Sequence, residues 1–242
     1  MKSEKEIVFL SIQDFFSFDI LKFAILPFII TAFIVYTLFF FVSSIGLTNL
    51  DTMMLENSND NTIFAFFVTS TIVTSIIHML FYTIGSFSMV YVSLFISLFI
   101  IGFLTPYILK TIQKKHYSNI IFQGNSSLIE PIIEIIKNII IVFILLVMLI
   151  PFYFIPIINI IAINLPFYFL FHKMLNYDIS SILIAKNERE IFKVQHKREL
   201  RLRTLLLYLL SMIPFMAIIL PVFYIVYIGH GYLNIINFKG QQ

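Results

Sequence analysis

Residues 139–171 read IIIVFILLVMLIPFYFIPIINIIAINLPFYFLF, an apolar run split in its middle by Pro151 and Pro156. It carries no charge and lies between Lys137 and Lys173. A run of this length reads as membrane-embedded, since about 20 apolar residues span a bilayer. Proline removes a backbone donor and clashes with the preceding turn, so the run divides into two arms. At about 1.5 Å per residue the arms 139–150 and 157–171 would be about 18 and 22 Å long. Neither spans about 30 Å of hydrocarbon upright. Both ends sit beside basic residues, which favour the cytoplasmic side. The run therefore reads as a hairpin that enters the bilayer and returns.

The segment 204–238 repeats the pattern. Its first arm, 204–213, would be only about 15 Å. Pro214 and Pro221 flank the turn, and Gly229 and Gly231 are read as interrupting the second arm. The tips Met148-Leu149-Ile150-Pro151-Phe152 and Ser211-Met212-Ile213-Pro214-Phe215 are alike, a faint internal repeat. Unpaired backbone at such a tip cannot face lipid, because each unsatisfied group costs several kcal/mol there. Protein, other subunits or water must cover it, which points to a homo-oligomer or a hydrated path.

The rest of the chain agrees with this membrane reading. Of 242 residues, 60% are hydrophobic and 12% charged, and the mean hydropathy is +0.97. A soluble domain carries about a quarter charged residues. The 29 Phe exclude a disordered chain. A net charge of +3 is too small to indicate nucleic acid, and so apolar a chain meets the lipid bilayer first. Cysteine is absent, which removes disulfides, thiolate metal sites and thiol nucleophiles.

Charge positions give the topology. No Lys or Arg occurs between Lys22 and Lys110, and the charges there are Asp51, Glu56 and Asp60. Residues 23–47 form a first full span, too long and without the small-residue cleavage site of a signal peptide. The acidic loop 48–61 is assigned to the periplasm. The clusters Lys2, Lys5 and Lys22, then Lys110, Lys114, Lys115 and Lys137, then Lys173 to Arg203, and Lys239 are assigned to the cytoplasm. Both termini are then cytoplasmic, and residues 1–22 form an interfacial helix. The region 62–109 must cross once, as a surface portion over 62–84, a break at Gly85-Ser86 and a span near 86–109. Thr71, Thr74, Ser75 and His78 make a polar stripe on one helical face, either a packing stripe or a pore lining.

Two stretches read as interfacial helices. In 127–138, Glu130, Glu134 and Lys137 oppose Leu128, Ile129, Ile132, Ile133 and Ile136, and Ser127 with Glu130 has capping-box spacing. The stretch 186–203 is strongly basic. It reads as a lipid-headgroup contact or as an anion-collecting vestibule, with Arg198, Arg201 and Arg203 its candidate residues. Phosphate loops and catalytic motifs are absent. The five His, at 78, 116, 172, 196 and 230, are scattered without ligand spacing, so no metal site and no cofactor is expected. The apolar segments contain no Asp or Glu, which argues against an enzyme.

The order of these elements resembles the CysZ sulfate-permease family, related to the etoposide-induced membrane proteins. The likeness rests on Phe23-Ala24-Ile25-Leu26-Pro27, Thr105-Pro106-Tyr107, Asn176-Tyr177-Asp178, His196-Lys197-Arg198, and Ile213-Pro214 through Pro221. It implies an all-α integral membrane protein with two full transmembrane spans and two re-entrant half-membrane hairpins. It also implies assembly as oligomers and admission of sulfate for cysteine synthesis. The family's Gly-hydrophobic-Arg-Arg anion motif aligns with Asp19-Ile20-Leu21-Lys22. Glycine amides at a helix start favour an anion, whereas Asp19 repels one and Lys22 lacks the bidentate reach of Arg. Lys22 is the candidate anion-binding residue that remains, with a snorkelling anchor as its plainer role. The expectation is a single membrane domain, 1–242, in the bacterial inner membrane: a permease or channel for sulfate or a related oxyanion. A non-transporting scaffold or accessory subunit is the alternative.

Overall fold

A computed structural model describes residues 2–56, 70–124, 129–213, 216 and 220–239. Among them the regular elements are α-helices and one 3-10 helix. The α-helices are α1 (Glu4–Phe15), α2 (Phe18–Glu56), α3 (Thr71–His116), α4 (Ile129–Met148), α5 (Ile158–Leu183), α6 (Lys186–Gln195), α7 (Lys197–Ser211) and α8 (Leu220–Lys239). The 3-10 helix, Ile150–Phe154, lies between α4 and α5. Among the described residues, α2, α3, α4 and α5 are long and apolar enough to cross a membrane. The chain packs as two compact units, Met1–Ala24 with Ile101–Gln242, and Ile25–Ile100.

In the unit Ile25–Ile100, α2 and α3 pair through aromatic and small residues. Phe39 stacks on Phe81 at 6.0 Å and Phe40 on Tyr82 at 5.9 Å between ring centroids. Tyr36 donates to the Ser86 carbonyl at 2.8 Å, and Thr31 to the Ser93 carbonyl at 3.2 Å. The break expected at Gly85-Ser86 does not occur, because α3 runs through it. A Cβ at Gly85 would collide with the Phe39 ring, so this glycine permits close helix approach. His78 of the polar stripe lies 3.2 Å from Asp51, a contact between the paired helices. The acidic loop expected over 48–61 is instead helical as far as Glu56, because α2 continues through Asp51, and the remainder lies outside the described residues.

The other unit is built around α8. From Leu220 to Ile235 this helix is buried almost throughout, with Val226, Ile228, Tyr232 and Leu233 fully enclosed. Contrary to the sequence reading, it runs unbroken through Gly229 and Gly231. Leu109 packs where a side chain at Gly229 would stand, and the Arg203 guanidinium fills the space beside Gly231. Helix α1 starts with a capping box, Ser3 accepting from the Glu6 amide and Glu6 from the Ser3 amide. It lays Ile7, Ser11, Asp14 and Phe15 inward and leaves Phe9 and Phe16 exposed. Asn234 ties α8 to the start of the chain, accepting from the Lys2 amide at 2.9 Å.

The proline-split run is two helices with a bent connection. Pro151 opens the 3-10 turn, where its missing donor costs nothing. Tyr153 donates to the Leu146 carbonyl at 3.0 Å and so satisfies one free group in the last turn of α4. Ile157 has φ 73° and ψ −47°, a strained backbone for a β-branched residue. The arm lengths inferred from sequence are corrected by the helix bounds. Helix α4 has 20 residues and α5 has 26, about 30 and 39 Å at 1.5 Å per residue. Both extend through the charged flanks, because backbone hydrogen bonding does not stop where side-chain polarity changes. The capping pair at Ser127 lies outside the described residues. So do Pro214 and Phe215 of the second tip.

Candidate functional site

A cleft of about 730 Å³ is lined by residues of α4, α5, α6 and α7. Its cations are Lys137, Lys173, Lys193, Lys197 and Arg201, and its acids are Glu134 and Glu190. Five positive groups against two negative ones leave a net charge of +3 along its walls. Lys137 lies 3.7 Å from Glu134, and Lys193 lies 3.2 Å from Glu190. Each acid thus offsets one neighbour and leaves the rest of the field uncancelled. A low-dielectric wall concentrates such a field on a small anion.

Helix periodicity places these groups. Helices α6 and α7 meet at His196, so the basic stretch is two short helices and not one continuous interfacial helix. Arg201 reaches the cleft from α7, and Lys173 and His172 from α5. From this wall a polar chain runs inward. His172 Nδ1 is 2.6 Å from Thr204 Oγ1, Asn176 donates to the His172 carbonyl at 2.7 Å, and Tyr232 donates to Asn176 Oδ1 at 2.9 Å. These contacts hold α5 against α7 and α8 and fix the cleft's inner surface.

The expected site residues separate into three environments. Arg198 and Arg201 are exposed, Arg198 in a shallower hollow that it shares with Lys197 and Arg201. Arg203 is 1% exposed and does not face lipid or the cleft. Its guanidinium donates to Glu4 at 2.6 and 2.8 Å, lies 2.7 Å from Glu199, and sits over the Tyr227 ring. Tyr227 also donates to Glu4 at 3.0 Å. Lys22 is half-exposed, 3.9 Å from Asp19 and over the Phe23 ring. The acid that stands where the family motif has glycine therefore pairs with the one remaining cation.

Sequence reading missed two buried polar groupings. Arg189, from the basic stretch, is 3% exposed and donates to Glu130 at 2.8 Å and to the carbonyls of Ile184 and Ser181. The second joins Asp14, His116 and His230, which sequence spacing had left unrelated. His230 Nε2 is 3.0 Å and His116 Nε2 is 2.8 Å from Asp14 Oδ2, while Lys115 contacts Oδ1. Burial alone would raise the Asp14 pKa. The hydrogen bonds from His230 and Lys115, with His116 close by, outweigh it and hold the carboxyl well below its usual range. Burial pushes the Tyr117 phenol up to about 12, so its hydroxyl, 3.3 Å from His230 Nδ1, stays protonated.

No curated protein and no solved structure matches this sequence. The family profile described as sulfate transporter CysZ/etoposide-induced protein 2.4 matches residues 7–221, most of the chain, and the protein belongs to that family.

Proposed function

We propose that this multi-pass membrane protein is a permease or channel for a small inorganic oxyanion, sulfate by family, in a bacterial inner membrane. The observation that carries the reading is the basic cleft, whose walls hold three more cations than acids. The cleft acts as the vestibule that gathers the anion, and Arg201 is its bidentate contact. Both termini are placed in the cytoplasm. The α4–α5 pair forms a hairpin that turns within the bilayer at Ile150–Phe154. The exposed apolar faces of α2, α3, α4 and α5 meet lipid and, in an oligomer, one another.

Lys22 is assigned a minor part, because Asp19 offsets its charge. Equilibrium binding of radiolabelled sulfate to purified protein at low ionic strength separates these roles. Lys173→Glu with Arg201→Glu should weaken binding at least tenfold, while Lys22→Ala should change it less than threefold. Unchanged binding in the double variant, with loss in Lys22→Ala, would move the site to the start of α2. No saturable binding by the unaltered protein would favour the scaffold reading.

A further inference from the structure

We propose that Asp14, His116 and His230 bind a transition-metal dication of the zinc class, clasping α1, the end of α3 and α8. The three residues are separated by about a hundred positions each, yet their ligand atoms all lie within 4.8 Å of one another. Both imidazoles direct Nε2 at the same carboxylate oxygen, Asp14 Oδ2. That arrangement is poor as a hydrogen-bond network. His116 Nε2 is buried and, although 2.8 Å from Asp14 Oδ2, is not aligned to make a hydrogen bond with it. A metal accepts lone pairs from both nitrogens and from the oxygen, and so gives His116 Nε2 a partner.

The chemistry of the donor set selects the ion. Two imidazoles and one carboxylate suit zinc, cobalt, nickel or iron, whereas magnesium and calcium prefer oxygen ligands alone. With metal–ligand bonds of about 2.0–2.1 Å, tetrahedral ligand atoms stand roughly 3.3 Å apart. The observed 2.8 and 3.0 Å therefore need only a small outward shift. Asp14 and His230 are fully enclosed, so bulk solvent does not reach these two ligands. Tyr117 contacts His230 Nδ1 and orients the ring, as outer partners of metal-bound His do. Three protein ligands leave a fourth position for water. Lys115 opposes the site: its ammonium occupies Oδ1, and it must turn outward, where it is already half-exposed.

Cobalt reports on this site directly and independently of transport. Untagged protein in detergent, stripped with a chelator, is titrated with Co²⁺. The site predicts visible d–d bands of a low-coordinate cobalt centre, saturating at one equivalent per chain and erased by Zn²⁺. His116→Gln should weaken binding at least tenfold. Lys115→Met should tighten it several-fold, although it removes an ion pair from the metal-free protein. His78→Gln should bind as the unaltered protein does. Added Zn²⁺ should raise the melting temperature of the unaltered protein and not that of His116→Gln. Absence of the bands in the unaltered protein, or full-strength bands in both His116→Gln and His230→Gln, would overturn the proposal. So would weaker binding in Lys115→Met, the result expected of a purely ionic cluster.

Discussion

Arg203 and Gly231 are packed against each other in the protein's interior. The guanidinium fills the space that a Cβ at position 231 would occupy, so Gly231→Ala must push a buried cation away from Glu4 and Glu199. Overpacking of this kind costs about 2 kcal/mol. Arg203→Ala empties the same space and should lose about 3 kcal/mol, as expected when a buried, paired cation is removed. The two changes share one volume and cannot be additive. Thermal unfolding should show Gly231→Ala as nearly neutral in the Arg203→Ala background, and full additivity would mean that the two residues do not touch. Arg203, read from the sequence as a vestibule or lipid contact beside Arg198 and Arg201, is buried instead. Leu200, Arg203, Thr204 and Leu207 recur at helical spacing, and all four are buried. The surrounding run of bases obscured that period. Asp14, His116 and His230 had no such local signal, because only the packing of α1 and α3 against α8 brings them together.

At the scale of elements, charge marks the expected membrane depth while helix ends are set by backbone chemistry, and the two do not coincide. The interruption at Pro151 and Pro156 was legible because proline acts locally, whatever surrounds it. The lengths of α4 and α5 were not, since both continue beyond Lys137 and Lys173. Gly85, Gly229 and Gly231 were misread as breaks for a related reason: glycine serves close packing as well as turns. The strained residue of the connection was invisible in sequence. Ile157→Gly should relieve its positive φ and raise stability by about 1 kcal/mol, read as a higher melting temperature. A lower one would show that the side chain holds the tip in place. Because the chain has no cysteine, Phe154→Cys tests the hairpin without background. It should resist an impermeant thiol reagent in intact cells, while Asn57→Cys reacts and Gln123→Cys and Gln195→Cys stay protected. Rapid labelling of Phe154→Cys under the same conditions would mean that α4 and α5 cross fully.

The whole molecule combines apolar helices fit to cross a membrane with a basic cleft, in a family that includes a sulfate transporter. The membrane class was legible because 60% hydrophobic content leaves no soluble alternative. The cleft was legible only as a basic stretch. Its other cations, Lys137 and Lys173, lie in separate helices that folding brings beside α6 and α7. An electrostatic vestibule also carries a signature in salt, since charges are screened over about 10 Å at 0.1 M. The measurement that tests transport most directly is uptake of radiolabelled sulfate into proteoliposomes containing the purified protein. The cleft predicts saturable uptake that falls as inert salt is raised, is competed by other oxyanions, and drops at least tenfold in Lys173→Glu with Arg201→Glu. Uptake no faster than in protein-free vesicles, from protein shown to be folded and inserted, would contradict it.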